Sequence, residues 1–371
     1  MSKHLHIICD KAPWPADNSV AIDTLCKMEA LHQQGVKIHL HYFYTAEGAH
    51  PNELNKYCES IHPHPCNKTA ADLPGTVNAG CEKMAAFINS NDFPILFEGL
   101  NGTGILKKIR LEGRKIIVRM HNDECRYAKH VAKFTSPFLF FQKNRWNRHS
   151  REMKKYEDHL PQECLYAFST AEDLASSKED HDLTNAHHLP AFTPHTEIKS
   201  QTGIGNFCLY HGDLSDPCNE KAALWLLTKI FNDIQTPFVI AGKNPGNQVI
   251  KMAELYAHSC LITNPSVTEL EDLVSKAQIH VLPSFSNKKP ELKLMNALYN
   301  GRHCVVNKEA IEGSAFEGAC HVAATSNAFK SIILQLYHRP FEDEEIKLRN
   351  KIIWEANIEQ PTKKLVQWLY N

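Results

Sequence analysis

Hydrophobic positions along this chain recur with two alternating periods. Leu5-His-Ile-Ile-Cys9 is a short apolar run that reads as a strand. Ile22 to Leu31 then carries apolar residues at helical spacing up to Gly35, and Val36-Lys-Ile-His-Leu-His-Tyr-Phe43 alternates as a second strand. Further strands are expected at Ile95-Leu-Phe97, Ile116 to Met120, Tyr166-Ala-Phe168 and His187-His-Leu189, with helices between most of them. Strand–helix–strand units in this order predict a doubly wound parallel sheet. A polar stretch, Thr193 to Asn206, with Pro194, Ser200, Gly203 and Gly205, breaks the pattern and reads as a linker. Alternation restarts at Phe207-Cys-Leu-Tyr-His211: a helix from Asn219, its expected cap, to Phe231, a strand at Phe238 to Ala241 and a helix near Gln248 to Tyr256. A strand at Leu261-Ile262, a helix from Val267 to Ala277 and a strand at Ile279 to Leu282 follow. The expectation is two α/β domains, 1–192 and 207–358, joined by 193–206, with a last helix near Thr362 to Tyr370 in a C-terminal segment, 359–371.

The segment from Pro283 to Val306 joins this pattern to chemistry. A polar loop through Ser284, Lys288, Lys289 and Glu291 follows the strand, and Leu292, Leu294, Met295 and Leu298 recur at helical spacing. Gly301 is expected to end that helix in a left-handed cap before His303-Cys-Val-Val306 resumes a strand. A loop at the C-terminal end of a strand that opens into a helix presents free N–H groups and the positive end of a helix dipole, which suits a phosphorylated ligand. Gly212 ahead of Lys221, Gly242-Lys243 ahead of Gly246, and Asn264-Pro265-Ser266 repeat this strand-end design. Either lysine taken singly reads as a surface residue; two beside glycine turns on successive strands make phosphate binding an equal reading. In the first half, Glu98-Gly99 and His121-Asn122-Asp-Glu124 also end strands, where a doubly wound domain faces its ligand.

With 371 residues the chain is long enough for two cores. Its 41 basic and 42 acidic residues nearly cancel, which excludes nucleic acid as a bulk partner and leaves small anionic ligands open. No apolar run reaches membrane-spanning length and no signal-peptide core follows Met1, so a cytoplasmic protein is expected. Twelve cysteines without a CxxC pair read as small buried hydrophobes. Of the 22 histidines, His62/His64 and His187/His188 lie near prolines in loop-like stretches, and no HExxH-type spacing supports a metal. The stretch 138–160 mixes Phe138, Phe140, Phe141 and Trp146 with Lys143, Arg145, Arg148 and Arg151. It fits peripheral contact with an acidic membrane face or, as the blander alternative, an ordinary helix with a solvated basic face.

Two segments carry a family resemblance. Arg119, His121, Asn122, Glu124 and Tyr127, together with the run from Leu292 to Val306, resemble bacterial family-4-like retaining glycosyltransferases of the GT-B fold, the glycosyltransferase group 1 type. The resemblance implies two Rossmann-like domains facing a central cleft, an acceptor-side first domain, a nucleotide-sugar-binding second domain, and a final helix returning to the first. It implies transfer of a sugar from a nucleoside diphosphate to an acceptor hydroxyl, a glycan or lipid-linked molecule, in polysaccharide synthesis, with no cofactor and no metal. His121 would act near the reacting carbon, with Asp23, Glu98, Asn122 and Glu124 on the acceptor side. Gly212, Lys221, Lys243, Asn264, Ser284, Glu291, Leu292 and Asn296 would hold the donor.

The chain also departs from that family pattern. Ser19-Val20 stands where the family has Gly-Gly, which hinders close approach of the backbone to a phosphate. Lys288 and Asn296 replace two acidic positions; Asn296 still offers amide hydrogen bonds to a ribose, and Lys288 reverses the charge beside the sugar. A catalytically silent relative that binds a nucleotide, glycan or partner enzyme is therefore the alternative. A sugar-phosphate isomerase or epimerase on the same architecture is a third reading, further from the motifs.

Overall fold

The computed structural model describes residues 2–16, 18–44, 51–65, 79–135, 140–181, 183–195, 197–285, 291–312, 314, 316–355 and 361–371. The chain divides into two compact units: Met1–Ala132, Phe140–Pro194 and Glu359–Asn371 form one, Lys133–Leu139 and His195–Ile358 the other.

The first unit is built on strands β1 (Lys3–Cys9), β2 (Val36–Tyr44), β3 (Cys58–Pro65), β4 (Ile95–Glu98), β5 (Ile116–Met120), β6 (Leu165–Phe168) and β7 (Ala186–His188). They pair in the order β3-β2-β1-β4-β5-β6-β7, all parallel. Every residue of β4 and β5 is buried, as a sheet covered on both faces requires. The covering helices are α1 (Ser19–Gln33), α2 (Ala79–Asn89), α3 (Glu124–Phe134), α4 (Phe140–Glu157) and α5 (Ala171–His181). Asn18 starts α1 by accepting a hydrogen bond from the Ala21 amide.

The second unit has strands β8 (Cys208–Asp213), β9 (Phe238–Lys243), β10 (Ser259–Thr263), β11 (Ile279–Val281), β12 (His303–Val306) and β13 (His321–Val322), in the parallel order β10-β9-β8-β11-β12-β13. Its helices are α6 (Pro217–Trp225, continued by a π-helical turn, Leu226–Ile230), α7 (Asn247–Glu254), α8 (Val267–Lys276), α9 (Glu291–Asn300), α10 (Lys308–Ile311), α11 (Ser326–Tyr337) and α12 (Asp343–Glu355). The final helix α13 (Pro361–Tyr370) buries Leu365 and Leu369 in the core beneath β1 and β2, and the Tyr370 hydroxyl donates to the His4 carbonyl. In each sheet the strand order reverses beside the first strand, between β1 and β4 and between β8 and β11. At such a point the loops diverge and leave a crevice at the C-terminal strand ends.

Three expectations from the sequence need correction. His62 and His64 are strand residues: β3 is the edge strand, paired along β2 from Ile38 to Tyr44 with one register shift. Helix α6 is capped by Asp216, whose carboxylate accepts from the Cys218 and Asn219 amides, and Pro217 holds the first helical position, so Asn219 lies inside the helix. Gly301 is not among the glycines with positive φ. Glycine is required there because a Cβ would run into the His280 imidazole. The carbonyls at the end of α9 are collected by buried Arg349, which donates to Leu298, Gly301 and Arg302.

The histidines of β1, β2 and β3 share one face of the sheet, under Phe87 and Phe93. Asn91 Oδ1 accepts from the Phe93 amide and therefore also accepts from His6 Nε2, at 3.0 Å. That fixes the ring tautomers in sequence: His41 Nε2 donates to His6 Nδ1 and His64 Nε2 to His41 Nδ1, each at 3.1 Å. Burial holds the three rings neutral, lowering the pKa of His6 and His64 to about 4 and that of His41 well below its usual value.

Candidate functional site

In the first unit the residues singled out by sequence gather around a buried charge cluster beside the β1/β4 reversal. Asp23 and Lys27 lie one turn apart on the inward face of α1, Glu98 ends β4, Arg119 lies in β5, and His121 follows β5 directly. Lys27 Nζ sits 2.9 Å from Asp23 Oδ2 and 2.7 Å from Glu98 Oε1, with its side chain fully buried. Arg119 contacts Asp23 at 3.3 Å and donates to the Leu189 and Pro190 carbonyls. Asp23 also accepts from the Phe192 amide at 2.6 Å. Asp23 thus lies in the second turn of α1 and faces inward.

Two fixed cations balance two carboxylates, which makes the cluster tolerable in a low-dielectric interior. Burial alone would raise the pKa of both acids; Arg119 and Lys27 outweigh it at Asp23, and Lys27 and His121 at Glu98, so both are held below their usual range. Glu98 is consequently an acceptor only, and His121 Nε2, 3.1 Å from Glu98 Oε2, must carry a proton. His121 Nδ1 lies 3.8 Å from Asp23 Oδ2. The imidazole, 11% exposed, is the part of the cluster that reaches the surface. Asp23, Glu98 and His121 are close enough together to suggest a metal, but the ammonium of Lys27 already lies between the two carboxylates. Next to them, Asn122 donates to Glu124 Oε1 at 3.3 Å, and both side chains are half-buried at the start of α3.

In the second unit the named residues line the C-terminal ends of neighbouring strands. Gly212 is the next-to-last residue of β8, at the β8/β11 reversal, and Lys293 of α9 lies over it: a Cβ on Gly212 would fall 2.6 Å from Lys293 Nζ. Lys293 donates to Asn219 Oδ1 at 2.6 Å, and Asn219 in turn donates to the Asp213 carbonyl. Lys221 of α6 is partly buried, 5.2 Å from the Phe285 ring, and burial lowers its pKa. Lys243 ends β9, opposite Asp213 in the sheet register. Asn264 takes a left-handed backbone after β10 and accepts from the Asn244 amide. Ser284 is buried after β11, its amide donating to Asn307 Oδ1. Asn296 and Leu292 are half-buried on α9, and Asn296 accepts from Asn300. Lys288, Lys289 and the Glu291 side chain lie outside the described residues.

Lys27, Thr24 and Lys293 went unremarked in the sequence. Thr24 donates to Glu98 and Lys27 neutralises it, and both share the inward face of α1 with Met28 and Leu31. A lysine on an apolar helix face, four residues after an aspartate, was the available signal.

Residues 205–339 match the family model described as Glycosyl transferases group 1. A Klebsiella pneumoniae protein described as an uncharacterized 44.6 kDa protein in the cps region is 22% identical over 333 residues, covering 83% of this chain and 84% of that protein. TarM from S. aureus, solved with Fondaparinux, alpha-GlcNAc-glycerol and UDP, superposes with a TM-score of 0.69 at 9% identity over the full length of both chains. Anabaena Alr3699/HepE, solved with UDP and glucose, gives a TM-score of 0.62 at 10% identity over 98% of each chain. The fold is that of the GT-B glycosyltransferases.

Proposed function

We propose that this chain is a glycosyltransferase that moves a sugar from a nucleoside diphosphate to an acceptor hydroxyl with retention of configuration, in the synthesis of a capsular or related polysaccharide. The observation that carries the reading is His121, a partly exposed imidazole held on a buried, charge-balanced cluster at a strand-order reversal. The group 1 match of the second unit and the cps-region relative agree with it. UDP and UDP-glucose, present in the solved relatives, are the first donors to test.

In this reading the diphosphate binds at the ends of β8 and β9. Lys293, Lys221 and Lys243 offset the charge that accumulates on it as the glycosidic bond breaks, without a catalytic metal. Asn264 and Ser284 border the nucleoside and Asn296 hydrogen-bonds its ribose, while Glu291 and Leu292 open the helix that faces the donor. On the first unit, His121 positions the sugar, its Nε2–H anchored by Glu98. Asn122 and Glu124 bind the acceptor side, and Asp23 and Glu98 act through His121.

Helix α4 exposes Phe141 (88%) and Phe140 (61%) beside Lys143 and Arg145, which suits a lipid-linked acceptor at an anionic membrane face. Phe138 lies outside the described residues, and among those described no helix is long and apolar enough to cross a membrane. Cosedimentation with anionic vesicles, lost on Phe141→Ser, tests this contact.

A silent, nucleotide-binding relative is the second reading, favoured by Ser19-Val20 in the first turn of α1 and by the amide at Asn296. Donor turnover, including slow hydrolysis of UDP-sugars, separates the two. Transfer activity that falls at least about a hundredfold in His121→Ala, with UDP affinity kept, supports the first. UDP binding without turnover in the wild type supports the second.

A further inference from the structure

Asp123, Glu157 and His181 come together from the start of α3, the end of α4 and the end of α5, and each is buried. One side of each is already fixed. Asp123 Oδ1 caps α3 by accepting from the Arg126 amide at 2.9 Å, and Glu157 Oε1 accepts from the Glu124 amide at 3.1 Å. His181 Nδ1 lies 2.7 Å from Asp158 Oδ1 and donates its proton there. The other side of each faces inward: Asp123 Oδ2 and Glu157 Oε2 are buried and make no hydrogen bond, and His181 Nε2 lies 3.4 Å from Glu157 Oε2. One donor atom from each of the three residues lies within 4.8 Å of the others. The nearest guanidinium is Arg126, 3.6 Å from Asp123 Oδ2 and itself bonded to Asp180 at 2.9 Å.

We propose that Asp123 Oδ2, Glu157 Oε2 and His181 Nε2 form a binding site for one divalent transition-metal cation, of the manganese or zinc class. Two carboxylate oxygens and one imidazole nitrogen suit such ions, and two negative charges match a divalent one. Each ligand is oriented by an outer partner, and Asp158 on His181 is the carboxylate–histidine–metal arrangement. The rival occupant is a proton. Burial and the neighbouring Asp123 and Glu124 raise the pKa of Glu157 to about 9, so without a cation this acid takes up a proton. A proton on Glu157 Oε2 is shared with His181 Nε2 and leaves Asp123 Oδ2 unpaired, whereas a metal engages all three inward atoms. The ligands come from three helices with no short spacing between them, so no sequence pattern announces the site. Its role is structural: it ties α4 and α5 to the start of α3, directly after His121-Asn122.

The test needs no sugar substrate and is therefore independent of the proposed transferase activity. The full-length protein, dialysed against a chelator, is titrated with manganese chloride while the free ion is followed by electron paramagnetic resonance. One Mn²⁺ bound per chain, nitrogen coupling from a single histidine and a raised melting temperature are expected. Glu157→Gln and Asp123→Asn, which keep side-chain shape, should each weaken binding more than about tenfold, and Asp158→Asn less so. A folded wild type that takes up no Mn²⁺ at millimolar concentration would overturn the proposal. So would uptake that is unchanged in both ligand variants, since Mn²⁺ would then sit elsewhere.

Discussion

Acid should destabilise the first unit through its buried histidines before it protonates Asp23 and Glu98, whose carboxyls are held below their usual range. His6 and His41 have no exposed surface and His64 is 7% exposed, so solvent screening does not dilute the effect. In the unfolded chain each ring titrates near pH 6.5, while in the fold His6 and His64 titrate near 4 and His41 well below its usual value. A base whose folded pKa is depressed contributes its full stability above the unfolded pKa and loses it as pH falls toward the folded one, here between about 6.5 and 4. At about pH 5.5 His6 and His64 each cost RT ln(1 + 10), about 1.4 kcal/mol. These two together cost about 3 kcal/mol, a large part of a typical folding free energy, and His41 acts in the same direction. Denaturant titrations at about pH 7.5 and 5.5 on the wild type and on His64→Gln measure it, because glutamine keeps an N–H for His41 and cannot titrate. The variant's loss should be smaller than the wild type's by about 1.4 kcal/mol. Equal pH dependence in the two proteins, or His6 and His41 ring resonances titrating near 6.5, would refute the reasoning.

Lys27→Met leaves Asp23 and Glu98 with one cation between them and should cost about 3 to 5 kcal/mol in a thermal or urea melt. Adding Glu98→Gln removes the unpaired charge and should recover much of that stability without restoring transfer, because His121 then loses its anionic acceptor; full activity in the double variant would reduce the cluster to scaffolding. Lys293→Ala should weaken UDP binding by about tenfold by calorimetry, as loss of one charge-assisted contact, with little change in melting temperature. Gly301→Ala drives a methyl into His280, whose Nε2 is bonded to the Val274 carbonyl, and should cost about 1 to 3 kcal/mol.

The parallel sheets were legible because their strands are short apolar runs separated by helical spacing, as in Ile116 to Met120 and His303 to Val306. Edge strand β3 was not: its prolines and alternating histidines look like loop, and only pairing along β2 and the cover of Phe87 and Phe93 make it a strand. Strand-end placement was legible for His121, Glu98, Gly212 and Lys243, which lie at or beside the C-terminal ends of β5, β4, β8 and β9. What local pattern cannot register is pairing at long range. Lys27 reads as one more helical lysine until Glu98 is brought beside it, and Arg349 takes the role assigned to a left-handed Gly301 from a helix the sequence reading did not single out. Lys293 was passed over for the same reason, because its meaning depends on Gly212 lying beneath it.

The cluster itself bears on whether the chain is a catalyst or a silent relative. Burying Asp23, Glu98, Lys27 and Arg119 costs several kcal/mol per ion before their mutual attraction is counted, and apolar residues of similar size often hold a fold at least as well. A domain freed from catalysis has no physical reason to keep two buried carboxylates on one imidazole with two cations balancing them. Here Glu98 fixes the proton on His121 Nε2, and Asp23 Oδ2 lies 3.8 Å from Nδ1. A ring so held is prepared to meet positive charge or to donate a hydrogen bond at a set angle, which packing alone would not require. In the proposed transferase the departures at Ser19-Val20, Lys288 and Asn296 would alter instead how a donor is gripped, where Lys293 supplies a cation over Gly212. An altered grip with an intact His121 mount fits a transferase of changed donor preference better than one that has lost its reaction.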